Sequence, residues 1–150
     1  LGLAQLRSSL LQCRKVALDT SVFIYQLQAH PRYGALTDLI FTWVEQRGQR
    51  AVTSTITMTE LLVQPYREQD EQRVDQIYGL LSSYPGLDWI APSLEIADAA
   101  SRIRAAYGLR TPDALQAATA VHAGVSGSIT NDRVFERVEG FETLVLERFL

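Results

Sequence analysis

Short apolar runs alternate with longer stretches of helical spacing along almost the whole chain. Val16-Ala17-Leu18 is an apolar run closed by Asp19, the pattern of a buried strand, and Ser21 to Gln28 follows with helical character. From Tyr33 to Gln46, Leu36, Leu39, Ile40, Trp43 and Val44 fall on one helical stripe, which Gly48 stops. Ala51 to Ile56 is β-branched and predicts a second strand. Helices are expected over Thr57 to Arg67 and from about Glu71 to Ser82, and a third strand over Leu87 to Ala91 after a Pro85-Gly86 turn. Between Ser93 and Tyr107, Ile96, Ala100, Ile103 and Tyr107 share a helical face, and Gly108 ends it. Thr111 is expected to cap the next helix, with Pro112 in its first turn; that helix runs to Ala123 and stops at Gly124. Ser128 to Thr130 and Thr143 to Leu146 complete the strands. Ahead of them all, Leu1 to Gln12 carries Leu3, Leu6, Leu10 and Leu11 at helical spacing and predicts an added helix packed on the outside.

This alternation of short apolar strands with helices predicts an α/β fold, a mainly parallel sheet covered on both faces. In such sheets the functional site lies at the carboxyl ends of the strands. No internal repeat, low-complexity tract or long linker interrupts the pattern.

Composition narrows the chemistry. The 150 residues are 47% hydrophobic and 21% charged, which excludes disordered and fibrous classes. One Cys and two His cannot build a disulfide framework or a four-ligand zinc site, and a reducing, cytoplasmic setting is the simplest expectation. Lys15 is the single lysine. It follows no Gly-rich turn, so a phosphate-binding P-loop is excluded, and so are phosphatase and receiver domains that need a lysine well downstream of their first aspartate. The most apolar stretch, Ala114 to Val125, is short for a membrane span and contains Gln116, Thr119 and His122. The first residues resemble no signal-peptide core, since Gln5, Arg7, Ser8 and Ser9 interrupt them; the chain starts at Leu rather than Met, which leaves room for residues upstream.

Four acidic residues fall at predicted element boundaries. Asp19 ends the first strand, Glu60 and Asp113 sit in first turns of helices, and Asp132 follows a strand ending at Thr130. Each has a structural explanation alone. Asp19 suits a helix N-cap, Thr57-Met58-Thr59-Glu60 matches a capping box, Asp113 suits the helix dipole and Asn131-Asp132 is a common turn pair. Together they are all expected along one edge of a parallel sheet, where they would repel unless a cation sat among them. A hard divalent ion, Mg2+ or Mn2+, is the natural counter-charge, and carboxylate-held metals catalyse phosphodiester hydrolysis.

Leu18-Asp19-Thr20-Ser21-Val22-Phe23-Ile24 resembles the opening motif of PIN-domain proteins. Thr59-Glu60-Leu61-Leu62 resembles their second motif, Arg110 to Ala120 (RTPDALQAATA) their third, and Ile129 to Phe135 (ITNDRVF) their fourth. The separations between successive acids, 41, 53 and 19 positions, also fit. The likeness covers residues 15–150, leaving 1–14 as an added helical extension. It implies a three-layer α/β/α sandwich and a Mg2+- or Mn2+-dependent ribonuclease, with Asp19, Glu60, Asp113 and Asp132 as the metal-binding and catalytic cluster. Small family members are often VapC-type toxins of toxin–antitoxin pairs, so an antitoxin protein, whose tail would cover the acidic groove, and a homodimer are expected partners beside the RNA substrate. By the same resemblance Ser21 and Thr130 support the cluster, with Asn131 beside them. Asp19, Asp113 and Asp132 are expected to hold the metal, and Glu60 to bind a second ion or orient water. Arg110 and Arg133 flank two of the acids and are candidates for contacting substrate phosphates, against the plain alternative of solvated surface arginines. The added segment sets this chain apart from members whose first Asp lies near the start, which bears on the dimer surface and antitoxin groove. Two other readings stand beside the toxin: a PIN-like module that binds RNA or protein without cutting, and a housekeeping RNA-processing nuclease with no antitoxin.

Other candidates carry less. Gly124-Val125-Ser126-Gly127 lacks the spacing of a nucleophile elbow. His122 suits a helix end, His30 a turn before Pro31, and Cys13 packing within the added helix. Phe23, Phe41 and Trp43 read as core or interface aromatics, and Arg102 and Arg104 as solvated surface. Finally, setting four site carboxylates aside turns the net charge of −3 into a small positive balance. The acidity is thus concentrated where cations are expected, and RNA contacts would come from a few arginines.

Overall fold

The computed structural model describes residues 2–48 and 50–150; Leu1 and Gln49 lie outside the described residues. The element order is α1 (Gly2–Leu11), β1 (Lys15–Leu18), α2 (Thr20–Leu27), α3 (Gly34–Val44), β2 (Arg50–Ser54), α4 (Ile56–Arg67), α5 (Glu71–Ser82), β3 (Leu87–Ile90), α6 (Leu94–Tyr107), α7 (Thr111–Ala123), β4 (Gly127–Thr130) and β5 (Glu142–Val145). Two 3-10 turns, Arg133–Arg137 and Leu146–Phe149, follow β4 and β5.

All five strands run parallel in the order β3-β2-β1-β4-β5, with β1 at the centre. Successive strand residues face opposite layers, as the pleat requires. Val16, Leu18, Ala51, Ile129 and Leu144 join a large apolar core with Leu6 and Leu10 of α1, Phe23 of α2, Ile40 of α3, Leu61 of α4 and Ile77 of α5. Ala17 and Val52 face the other way, against Ala120 of α7 and Val125. On that side α6 and α7 pack on each other through Ile96, Ala100, Ile103, Ala114 and Ala117. The result is the expected three-layer α/β/α sandwich. Phe23, Phe41 and Trp43 are core residues.

The added helix α1 lies on α3 and the final 3-10 turn. Only half of its leucine stripe is used: Leu6 and Leu10 are buried, Leu3 and Leu11 exposed. Cys13 lies beyond the helix, not within it, and is buried beside Gly127. Among the described residues, no helix is long and apolar enough to cross a membrane.

Two expected helix starts move. Arg110, not Thr111, holds the extended cap conformation before α7 (φ −69°, ψ 157°), and its side chain makes no cap bond. The capping box at Thr57–Glu60 does not form, because α4 already begins at Ile56. The Ser54 hydroxyl accepts the Ile56 amide (3.2 Å), turning the chain at the end of β2 sooner than the β-branched run suggests. At the other end of the sheet, Gly124 closes α7 in the left-handed region (φ 66°), where its missing Cβ avoids a steric penalty.

Candidate functional site

Because every strand is parallel, their carboxyl ends and the first turns of α2, α4 and α7 gather along one edge. Asp19 follows β1, α4 follows β2, α7 ends just before β4 begins and so starts at the carboxyl side of the sheet, and Asp132 lies two residues past β4. Asp19, Asp113 and Asp132 lie at this edge; Glu60 is in the second turn of α4, not the expected first, because the helix begins early at Ile56, and it reaches the edge through Thr20 at the start of α2.

The Asp19 corner is the most closely built part. Asp19 caps α2 through the Ser21 amide (3.1 Å). The Ser21 hydroxyl donates to Oδ1 (2.6 Å), and the Thr130 hydroxyl donates to Oδ2 (2.5 Å). Both hydroxyls also accept: Ser21 Oγ from the Asn131 amide (3.3 Å), Thr130 Oγ1 from the Asp132 amide (2.9 Å). A hydroxyl has one proton to give and lone pairs to receive. These two use both capacities to fasten the loop after β4 onto the carboxylate that ends β1. Asn131 extends the clasp, donating from Nδ2 to the Tyr25 hydroxyl (3.0 Å) and accepting the Glu147 amide at Oδ1 (2.9 Å). The expected supporting positions, Ser21, Thr130 and Asn131, therefore all meet at Asp19 or beside it. Burial raises the Asp19 carboxyl from 3.8 to about 6, the hydroxyl and amide donors opposing the shift only in part.

The other acids are held differently. Glu60 is exposed and accepts the Thr20 hydroxyl at Oε1 (2.8 Å). Asp113, in the first turn of α7, pairs with Arg110 (3.3 Å). Asp132 accepts the Val134 amide (3.0 Å) and caps the 3-10 turn after β4. Among the described residues, no three His, Cys, Asp or Glu side chains are grouped closely enough to hold a metal ion. The expected four-acid ligand cluster is thus not assembled. Like charges at one edge repel, and each carboxylate has turned to a local donor instead. The donor chemistry, carboxylate oxygens alone, still suits a hard divalent cation.

Arg110 and Arg133 are exposed and already paired, Arg110 with Asp113 and Arg133 with Glu147 (3.6 Å). His122 sits in the last turn of α7, 3.9 Å from Glu95, and His30 Nδ1 accepts the Arg32 and Tyr33 amides in its turn. Arg102 pairs with Asp98 on the surface. Sequence reasoning missed Thr20, which donates to Glu60, Tyr25, which accepts from Asn131, and the buried hydrogen-bonded set of Thr53, Thr57 and Gln116. The available signals were Thr20 directly after Asp19 and Gln116 standing polar within an apolar run.

With this geometry in view, comparison gives the class. The PIN domain model matches residues 16–140, and the chain belongs to the PIN-domain family. No match to a curated protein was found. Among solved structures, a toxin–antitoxin complex from Klebsiella pneumoniae is 24% identical, covering 87% of this chain and 97% of that one, with a TM-score of 0.64. DNA-bound VapBC from Salmonella typhimurium is 23% identical, covering 88% and 98%, with a TM-score of 0.67. FitAcB from Neisseria gonorrhoeae is 17% identical over the same shares, with a TM-score of 0.65. At these identities the likeness establishes a shared fold over nearly the whole of each chain.

Proposed function

We propose that this PIN-domain chain is a Mg2+- or Mn2+-dependent ribonuclease, hydrolysing RNA phosphodiesters with water as the nucleophile, and the toxin of a toxin–antitoxin pair. The observation that carries the reading is the Asp19 corner. A carboxylate is desolvated at the centre of the sheet's carboxyl edge, gripped by two hydroxyls, and among the described residues no cationic side chain is paired with it. A partly buried carboxylate without a counter-charge is costly to ionise, and a bound cation would offset that cost.

Asp19, Asp113 and Asp132 would hold the metal, and Glu60 would hold a second ion or orient water. When bound, the metal supplies the acidity that makes water nucleophilic and the charge that offsets the phosphate. Ser21 and Thr130 fix the rotamer of Asp19, so one ligand is placed in advance. Asp113 and Glu60 would exchange Arg110 and Thr20 for the metal. Arg110, once released, and Arg133 would meet substrate phosphates. The toxin role is supported by the solved complexes of the same fold, which include toxin–antitoxin and VapBC assemblies, and it carries with it an antitoxin and a homodimer as partners.

The dispersed acids favour a second reading, a module that binds RNA without cutting it. Purified protein incubated with RNA and Mg2+ or Mn2+, with and without EDTA, separates the two. Cleavage that stops with EDTA supports the nuclease. RNA binding with no cleavage at any metal concentration supports the module, and cleavage indifferent to EDTA removes the metal mechanism. Growth arrest on expression, relieved by the product of a neighbouring small gene, separates the toxin from a housekeeping nuclease.

A further inference from the structure

Beneath the acidic edge runs a buried chain of polar side chains that the proposed reaction does not use. Gln116 Nε2 lies 2.8 Å from Thr57 Oγ1, Thr57 Oγ1 lies 2.7 Å from Thr53 Oγ1, and Thr53 Oγ1 lies 2.8 Å from the Leu18 carbonyl oxygen. All three residues are buried, Thr57 with 0% and Thr53 with 1% of its surface exposed. The direction of every bond follows from the ends. Leu18 offers only an acceptor, so Thr53 spends its one proton there. Thr57 must then donate to Thr53, and it must accept from Gln116, which fixes the amide with its nitrogen towards Thr57. A chain oriented throughout in one sense polarises along its length, and each link is costly to leave unmade in so dry a place.

What the chain connects is specific. Leu18 immediately precedes Asp19. Thr57 stands three residues before Glu60 on α4, and Gln116 three residues after Asp113 on α7; residues three apart share a helix face. The relay therefore ties β1, β2, α4 and α7 together within one to three residues along the chain of three of the four acids. Apolar side chains would fill the same space without these directional constraints, and α7 buries Ala114, Ala117, Ala118 and Ala120 around Gln116 without any other amide.

We propose that Thr53, Thr57 and Gln116 form a positioning relay that sets Glu60 and Asp113 relative to Asp19, so that the acids can converge on one divalent cation. The inference rests on the reading of these acids as the metal-holding set. Thr57→Val keeps the shape and removes the hydroxyl in the middle of the relay; Thr57→Ser restores it. Mn2+ binding to the full chain, measured calorimetrically, is expected to weaken about tenfold in Thr57→Val, the size seen when groups that orient metal ligands are removed, and to recover in Thr57→Ser. In metal-free protein, the carboxyl 13C resonances of Glu60 and Asp113 are expected to move in Thr57→Val and return in Thr57→Ser. Equal Mn2+ affinity in the two variants, with unmoved carboxyl resonances, overturns the relay. Wild-type protein that binds no Mn2+ overturns the metal reading instead, and the carboxyl resonances then decide the relay alone. If Thr57→Val does not fold, Gln116→Met, which breaks the chain at its outer end, takes its place in both measurements.

Discussion

Asp19 follows β1 and Glu60 lies on α4, the helix after the neighbouring strand β2, yet the protein treats these two acids in opposite ways. Asp19 is desolvated and receives two hydroxyls and an amide; its position is set by contacts spanning β1, α2 and the loop after β4. Glu60 is exposed and receives a single hydroxyl from Thr20, and Asp113 has one solvated arginine. The difference separates a carboxylate placed during folding from carboxylates that remain free to change partner. A centre with one fixed ligand and several adjustable ones can bind a cation without paying full conformational entropy for every ligand.

The sharpest way to break this contrast is to neutralise each acid in turn. Asp19→Asn is expected to lower metal-dependent RNA cleavage by about a hundredfold or more, the loss of a few kcal/mol of transition-state stabilisation. Glu60→Gln, which keeps an acceptor for Thr20, is expected to cost about tenfold. Initial rates at saturating Mg2+ measure both, and equal losses would erase the distinction. Stability should show the opposite ranking of benefit. The ionised form of Asp19 is the costly one, so the folded chain binds its proton more readily than the unfolded chain. Stability therefore falls as pH rises from 3.8 to about 6 and levels off beyond. Asp19→Asn in EDTA is expected to gain on the order of 2 kcal/mol at pH 8 and little at pH 4, read from denaturant melts across that range. Removing one clasp is a smaller change: Thr130→Val leaves Asp19 and the Asp132 amide each short of a partner and is expected to cost about 1–2 kcal/mol in the same melts at neutral pH. Least affected of all, Arg133→Ala loses only an exposed ion pair and should change stability by less than about 0.5 kcal/mol, with any effect confined to the salt dependence of RNA binding.

The layer order and the four acids were legible because they rest on short-range signals. Val16-Ala17-Leu18 before Asp19 reads as a strand running into a helix, and Gly108 and Gly124 stop their helices where the periodicity ends. The helix starts were less legible. Thr57 and Glu60 have the spacing of a capping box, but Ser54 turns the chain early and places Thr57 inside the helix, where its hydroxyl meets Thr53 and Gln116. Spacing places a residue on an edge; it does not say which donor its side chain will find. Glu60 with Thr20 and Asp113 with Arg110 are choices made by rotamers and local charge, so the edge was foreseen and the dispersal of the carboxylates along it was not.

The clasp between Thr130 and Asp19 joins residues 111 positions apart, as does the pairing of β1 with β4. Contacts so distant in sequence close late, after the loop-closure entropy of the intervening chain has been met. During synthesis, at roughly 5–20 residues per second, β1 emerges many seconds before the strand that completes its corner. A ribosome-bound fragment ending before Thr130 would carry Asp19, Glu60 and Asp113 but no clasp to hold the first of them. The order of the chain thus acts as a timer, withholding the finished acidic edge until Thr130 has been made and has left the ribosome.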